Sequence, residues 1–175
     1  MTMRHDLTSR DVVSSAAFRE IMGSFPTGVT VITTLSADGE PVGLTANAVS
    51  SVSLNPPQLL VCLGQDRFTA QAIARSERFA VNFLGHDQQA IAERFASRAV
   101  DKFAGLATTE GELGVPLIDG ALAYAECQVM KMIDTGDHRI FVGLVLRGEA
   151  GRGVPLMFFR RHYGEWPSAH QGSSA

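Results

Sequence analysis

Apolar and polar positions alternate most clearly near the end of the chain, where Ile140, Val142, Leu144 and Leu146 fall on one side of Arg139 to Glu149. That two-residue period predicts a strand with one buried face. Ala121 to Ile133 precedes it across Asp134-Thr135-Gly136-Asp137, a turn tetrad, so the two segments predict a long antiparallel hairpin. Val29 to Leu35 is rich in β-branched residues and predicts another strand. Ala37-Asp38-Gly39-Glu40 follows as a hairpin turn, and Gly43 to Pro57 reads as the return strand, stopped by Asn55-Pro56-Pro57. Gln58 to Leu63, Arg78 to Leu84 and Val154 to Phe159 complete the strand pattern.

Helical spacing is confined to three short segments. Ser14 or Ser15 can cap a helix carrying Phe18, Ile21 and Met22, which Gly23 and Pro26 end. Thr69 to Arg75 is a second, and Asp87 to Ala96, with Ile91 and Phe95 four apart, is a third. Gly105 to Gly114 has weak patterning and predicts a surface loop. Six or seven strands in hairpin order with short helices favour a small antiparallel β-barrel over a parallel sheet.

Composition narrows the class. A chain of 175 residues fits one domain, expected over 14–166, between polar tails at 1–13 and 167–175 expected to be flexible. A formal charge of −3 with both signs interspersed argues against nucleic-acid binding. No apolar run has the length of a membrane span, and MTMRHDLTSRDVV lacks the apolar segment of a signal peptide, so the cytoplasm is the expected location. Cys62 and Cys127 lie far apart in apolar settings and are expected to act as core residues. No glycine-rich phosphate loop, metal-ligand spacing or nucleophile elbow is present, and no metal site is expected.

Four groups stand out against this background. GLTANAVSSVSLNPP places Thr45, Ala46, Asn47, Ser50 and Ser51 where a core strand would carry bulky apolar residues. Phe25-Pro26-Thr27-Gly28-Val29 leads into a strand, Asp101-Lys102-Phe103 sets a cation beside a ring, and Thr135-Gly136-Asp137-His138 presents an imidazole. Each alone has an ordinary explanation: a connector, a solvated sheet face, an exposed lysine, a turn histidine. Together they suit a flat, polar-edged ligand that bears phosphate.

The segments FREIMGSFPTGVTVITT, GLTANAVSSVSLNPPQLLVCL, RFAVNFLGHDQQAIAERFAS with DKFAG, PLIDGALAYAECQV, GDHRIFVGLV and PLMFFRRHY carry a resemblance from about Phe18 to Tyr163. The chain resembles the flavin reductase-like proteins with an FMN-binding split barrel, in particular reductase components of two-component flavin-dependent monooxygenases. The resemblance implies a mainly β fold with short α-helices, an antiparallel Greek-key split β-barrel, and a homodimer. It implies FMN or FAD as cofactor, NADH or NADPH as hydride donor, and a separate flavin-dependent monooxygenase receiving the reduced flavin. By position it implies flavin contacts from Thr27, Gly28, Val29, Thr45, Ala46, Asn47, Ser50, Ser51, Val52, Asn82, Phe95, Lys102 and Phe103. His138 would be the catalytic residue on the nicotinamide side, with Tyr163 nearby. Ala48 departs from the T-A-N-S pattern of many relatives and removes a hydroxyl. Two other readings stay open on the same fold: a tightly held flavin acting on another substrate, and a non-catalytic flavin-binding protein.

Overall fold

The computed structural model describes residues 12–165; the expected flexible tails therefore lie outside the described residues, except for Val12 and Val13. The strands are β1 (Thr27–Gly28), β2 (Thr30–Leu35), β3 (Pro41–Ala46), β4 (Val49–Leu54), β5 (Pro57–Gly64) and β6 (Arg78–Phe83). They continue as β7 (Thr108–Glu110), β8 (Pro116–Ile118), β9 (Ala123–Thr135), β10 (His138–Ala150), β11 (Leu156–Phe159) and β12 (His162–Glu165). The helices are α1 (Ser15–Gly23), α2 (Phe68–Ser76) and α3 (Gln89–Ala96), the last led in by a 3-10 turn at His86–Gln88.

The main sheet has seven antiparallel strands in the order β3-β2-β6-β9-β10-β5-β4. Its two edge strands, β3 and β4, are consecutive in the chain and joined only by Asn47 and Ala48. A link that short makes the sheet curl until its edges approach each other, which produces a barrel with a split. The Ala48 carbonyl accepts the Cys62 N–H at 2.9 Å, extending the β4–β5 pairing into the link. The single return strand expected over Gly43 to Pro57 is thus two strands on opposite edges.

Two clusters fill the interior. Ile32, Val61, Leu63, Ile73, Phe79 and Phe141 pack within the barrel. Val29, Val31, Leu84, Phe95, Ile118 and Leu156 pack beside it, where α3 and the small sheet β1-β11-β12 cover the end. Buried hydroxyls on β2 are all partnered, as burial requires. Thr30 donates to the Ala46 carbonyl at 2.6 Å, Thr33 to Pro116 at 2.5 Å and Thr34 to Arg78 at 2.7 Å.

Two local expectations change. The loop expected at Gly105 to Gly114 contains β7, which pairs with β8. The last expected strand continues into a hairpin, because Arg160 (φ 46°) and Arg161 (φ 68°) turn the chain back into β12. Cys127 is fully buried as expected, and burial, then the Glu126 carboxylate, push its thiol up to about 12. Cys62 is only half-buried and faces the groove described next.

Candidate flavin groove at the barrel split

A groove of about 1130 Å³ runs along the split. One wall is β3 with the Asn47-Ala48 link, the other the end of β5 and the start of α2, and the loop after α3 closes one side. Small side chains on β3 leave its backbone accessible, and as an edge strand it has main-chain groups facing away from β2. Gly43 lets β3 lie flush on α3: a Cβ there would stand 2.8 Å from Phe95 Cε1 and 3.0 Å from the Ile32 carbonyl. The Thr45 hydroxyl fixes the same contact by donating to the Ala92 carbonyl at 2.6 Å.

The loop after α3 is held by its own acidic residue. Asp101 Oδ1 accepts the N–H groups of Phe103 and Ala104, both at 2.9 Å, and Arg94 donates to the Ala104 carbonyl at 3.0 Å. This turn packs Phe103 edge-on against Phe95, with centroids 5.0 Å apart at 89°. It also returns Lys102 over the C-terminal end of α3, where its Nζ donates to the Phe95 carbonyl at 2.8 Å and to Gly43 at 3.4 Å. A helix C-terminus attracts a cation in that way. Burial, and after it the positive charge of Arg67, lower the Lys102 ammonium from the usual lysine range.

His138 stands at another point of the same groove, at the first residue of β10. Its Nδ1 lies 2.7 Å from Asp137 Oδ1. The hydrogen bond with His138 is the main cause holding the Asp137 carboxyl below its ordinary range. Burial, then the Asp137 charge, raise the Cys62 thiol, which keeps that sulfur protonated and a poor nucleophile at neutral pH.

The structure therefore gathers Thr45, Ala46, Asn47, Phe95, Lys102, Phe103 and His138 around one groove. Thr27 adjoins it, accepting the Asn47 side-chain amide at 3.2 Å, with Gly28 beside it on β1. The other predicted contacts lie elsewhere in the single chain. Asn82 is fully buried, and its amide is consumed by Val31, Thr33 and Ile118 in the core. Val29 is buried, its N–H and carbonyl paired with Leu156 and Leu84. Ser50, Ser51 and Val52 are exposed on β4, outside the groove wall. Tyr163 leans on Phe158, centroids 5.1 Å apart, where burial and then Glu93 raise its phenol. The groove also contains Cys62, expected in the core, Thr69, expected in a helix, and Arg67 and Phe68, to which the sequence reading assigned no role. The usable signal was local: Asp66-Arg67-Phe68 joins a strand end to a helix start, a junction that suits anions.

Residues 22–167 match the flavin reductase like domain family. The chain belongs to that family. It is 43% identical to a "Flavin reductase (NADH)" of Kitasatospora aureofaciens over 160 residues, covering 89% of this chain and 84% of the relative. It is 41% identical over 154 residues to the reductase component of a 4-nitrophenol 4-monooxygenase/4-nitrocatechol 2-monooxygenase of Rhodococcus opacus, covering 88% and 82%. Among solved structures, a Streptomyces globisporus NADH:FAD oxidoreductase in complex with NAD and FAD fragments superposes with a TM-score of 0.83 at 38% identity, covering 88% of this chain and 94% of that one. The flavin reductase fold fits the group its relatives are named for. The groove has a small-residue wall, hydrogen-bonding strand edges and a half-buried cation, the donor set that a flavin ring and phosphate need.

Proposed function

We propose that this chain is an NADH:flavin oxidoreductase that reduces FMN or FAD and passes the reduced flavin to a separate flavin-dependent monooxygenase in the cytoplasm. The observation that carries this reading is one groove holding both Lys102 and His138 along a wall of small residues. The flavin supplies the hydride-accepting ring. Backbone groups of β3 and the Asn47 amide orient its polar edge, and Lys102 meets its phosphate. His138, held by Asp137, orients the nicotinamide donor. NADH as the donor follows the relatives, which are named flavin reductase (NADH) and NADH:FAD oxidoreductase.

Purified protein with NADH and excess FMN or FAD is expected to oxidise NADH through many turnovers of added flavin. Absence of NADH oxidation under every flavin condition excludes the reading, and oxidation limited to one equivalent of bound flavin favours a flavoenzyme with its own substrate. His138→Ala is expected to raise KM for NADH about tenfold, the worth of a lost positioning contact, with flavin Kd changed by less than about twofold. A matching collapse of flavin binding would move His138 to the flavin side.

The same reading includes a homodimer. Helix α1 buries none of its residues, and Phe18, Ile21 and Met22 stand 50–58% exposed beside Phe25 at 65%. An apolar face of that kind fits a protein interface. Sedimentation at twice the 18.8 kDa chain mass supports it, and a monomer at micromolar concentration removes it.

A further inference from the structure

His138 stands beside a hairpin tip whose residues Thr135, Gly136, Asp137 and His138 are all exposed. Tips of long hairpins are among the first places to open locally, so an imidazole there needs an anchor to keep one position. The pair Arg139–Asp134, at 2.5 Å and 3.1 Å, joins β9 to β10 but does not reach the groove wall. The β5–β10 ladder stops at Gly64 opposite His138.

The next residue, Gln65, continues the connection with three bonds. Its backbone N–H donates to the Asp137 carbonyl at 3.0 Å. Its side-chain Nε2 donates to the His138 carbonyl at 3.0 Å and to Gly136 at 3.4 Å. Asp137 is therefore held at its main chain by Gln65, while its carboxylate holds the imidazole at 2.7 Å. A single amide, half-buried at the β5–α2 corner, ties the turn to the same wall that carries Cys62 and Arg67.

We propose that Gln65 is a positioning residue for His138, fixing the hairpin tip against the groove so that the imidazole meets the nicotinamide donor in one orientation; this rests on the reductase reading above. Glutamine suits the task because its amide offers two N–H donors to two carbonyls. Glutamate, ionised at neutral pH, would turn acceptors toward both, and methionine would fill the space with no donor.

The experiment combines kinetics with the imidazole's own NMR signal. Gln65→Met and Gln65→Glu are each expected to raise KM for NADH about tenfold, with kcat and flavin Kd changed by less than about twofold. The double variant Gln65→Met with His138→Ala is expected to be no worse than His138→Ala alone, because the first residue acts through the second. Additive losses, parallel loss of flavin affinity, or an unchanged KM would overturn the proposal. If wild-type protein fails to oxidise NADH, the reductase reading falls, and the NMR arm then decides for Gln65. The His138 Cε1–H signal is expected to shift or broaden in Gln65→Met while those of His86 and His162 stay fixed. An unmoved His138 signal would show that the tip keeps its place without Gln65.

Discussion

An Asn82→Leu protein is expected to unfold about 3–5 kcal/mol more easily than wild type, yet to bind flavin with unchanged affinity while folded. Asn82 is 0% exposed at the next-to-last position of β6. Its amide Nδ2 donates to the Val31 carbonyl and to Thr33 Oγ1, both at 3.1 Å, and its Oδ1 accepts the Ile118 N–H at 2.8 Å. Thr33 in turn donates to the Pro116 carbonyl, so one side chain joins β6, β2 and β8. Leucine has the same number of side-chain heavy atoms but leaves the buried Ile118 N–H without a partner and removes the amide donor from the Val31 carbonyl and Thr33 Oγ1. One orphaned donor at about 1–3 kcal/mol and two lost hydrogen bonds at about 1 kcal/mol each set the total. Urea denaturation reads the loss as a lower midpoint at unchanged slope. Flavin titration at low urea then separates the core from the site. A tenfold weaker flavin Kd with wild-type stability would return Asn82 to the groove, where the family resemblance put it.

That residue shows where sequence reasoning runs out. A polar side chain within an apolar strand signals that something needs its hydrogen bonds, but residue type does not say whether the partner is a ligand or the protein's own backbone. The direction depends on which neighbouring strand faces it, and Pro116 and Ile118 are remote in the chain. The long hairpin was legible because alternation is local, and the Asp38-Gly39 turn because Gly39 takes φ +82°. The break at Asn47-Ala48 was not, since no glycine or proline marks it and its cause is the pairing of β3 and β4 with different partners. The β11–β12 turn was hidden similarly, with two arginines adopting the left-handed conformation that glycine usually signals. Half of the groove was readable in GLTANA, DKF and GDH. The half from Cys62 to Thr69 offered only the Asp66-Arg67-Phe68 junction, because an apolar strand end and a helix start read as structure until the barrel brings them opposite β3.

Lys102→Met is expected to weaken FMN binding about 10- to 100-fold, the range for a hydrogen bond to a charged group, while riboflavin affinity changes by less than about twofold. Riboflavin presents the same ring without phosphate, so the contrast isolates the charge. In the free protein the Lys102 ammonium spends its hydrogens on the Phe95 and Gly43 carbonyls, and no carboxylate among the described residues pairs with it. Burial first, then Arg67, lower its proton affinity, so the charged form strains against its surroundings. For stability the sign is clear: a lysine whose folded pKa is lowered penalises the folded state while charged, and the penalty is relieved as pH rises through the lowered value. Phosphate binding works in the opposite direction, because a dianion favours the ammonium and raises its pKa again. FMN affinity is therefore expected to be constant between the phosphate's second ionisation, at about pH 6, and the lowered lysine value, and to fall as pH rises through the latter, with proton uptake on binding in that window. Riboflavin affinity should show no such alkaline fall, and Lys102→Met should remove it from FMN. Fluorescence titrations of both ligands across that range check all three statements. A fall of equal size for riboflavin, or one that persists in Lys102→Met, would assign the titration to another group and leave Lys102 as a helix cap.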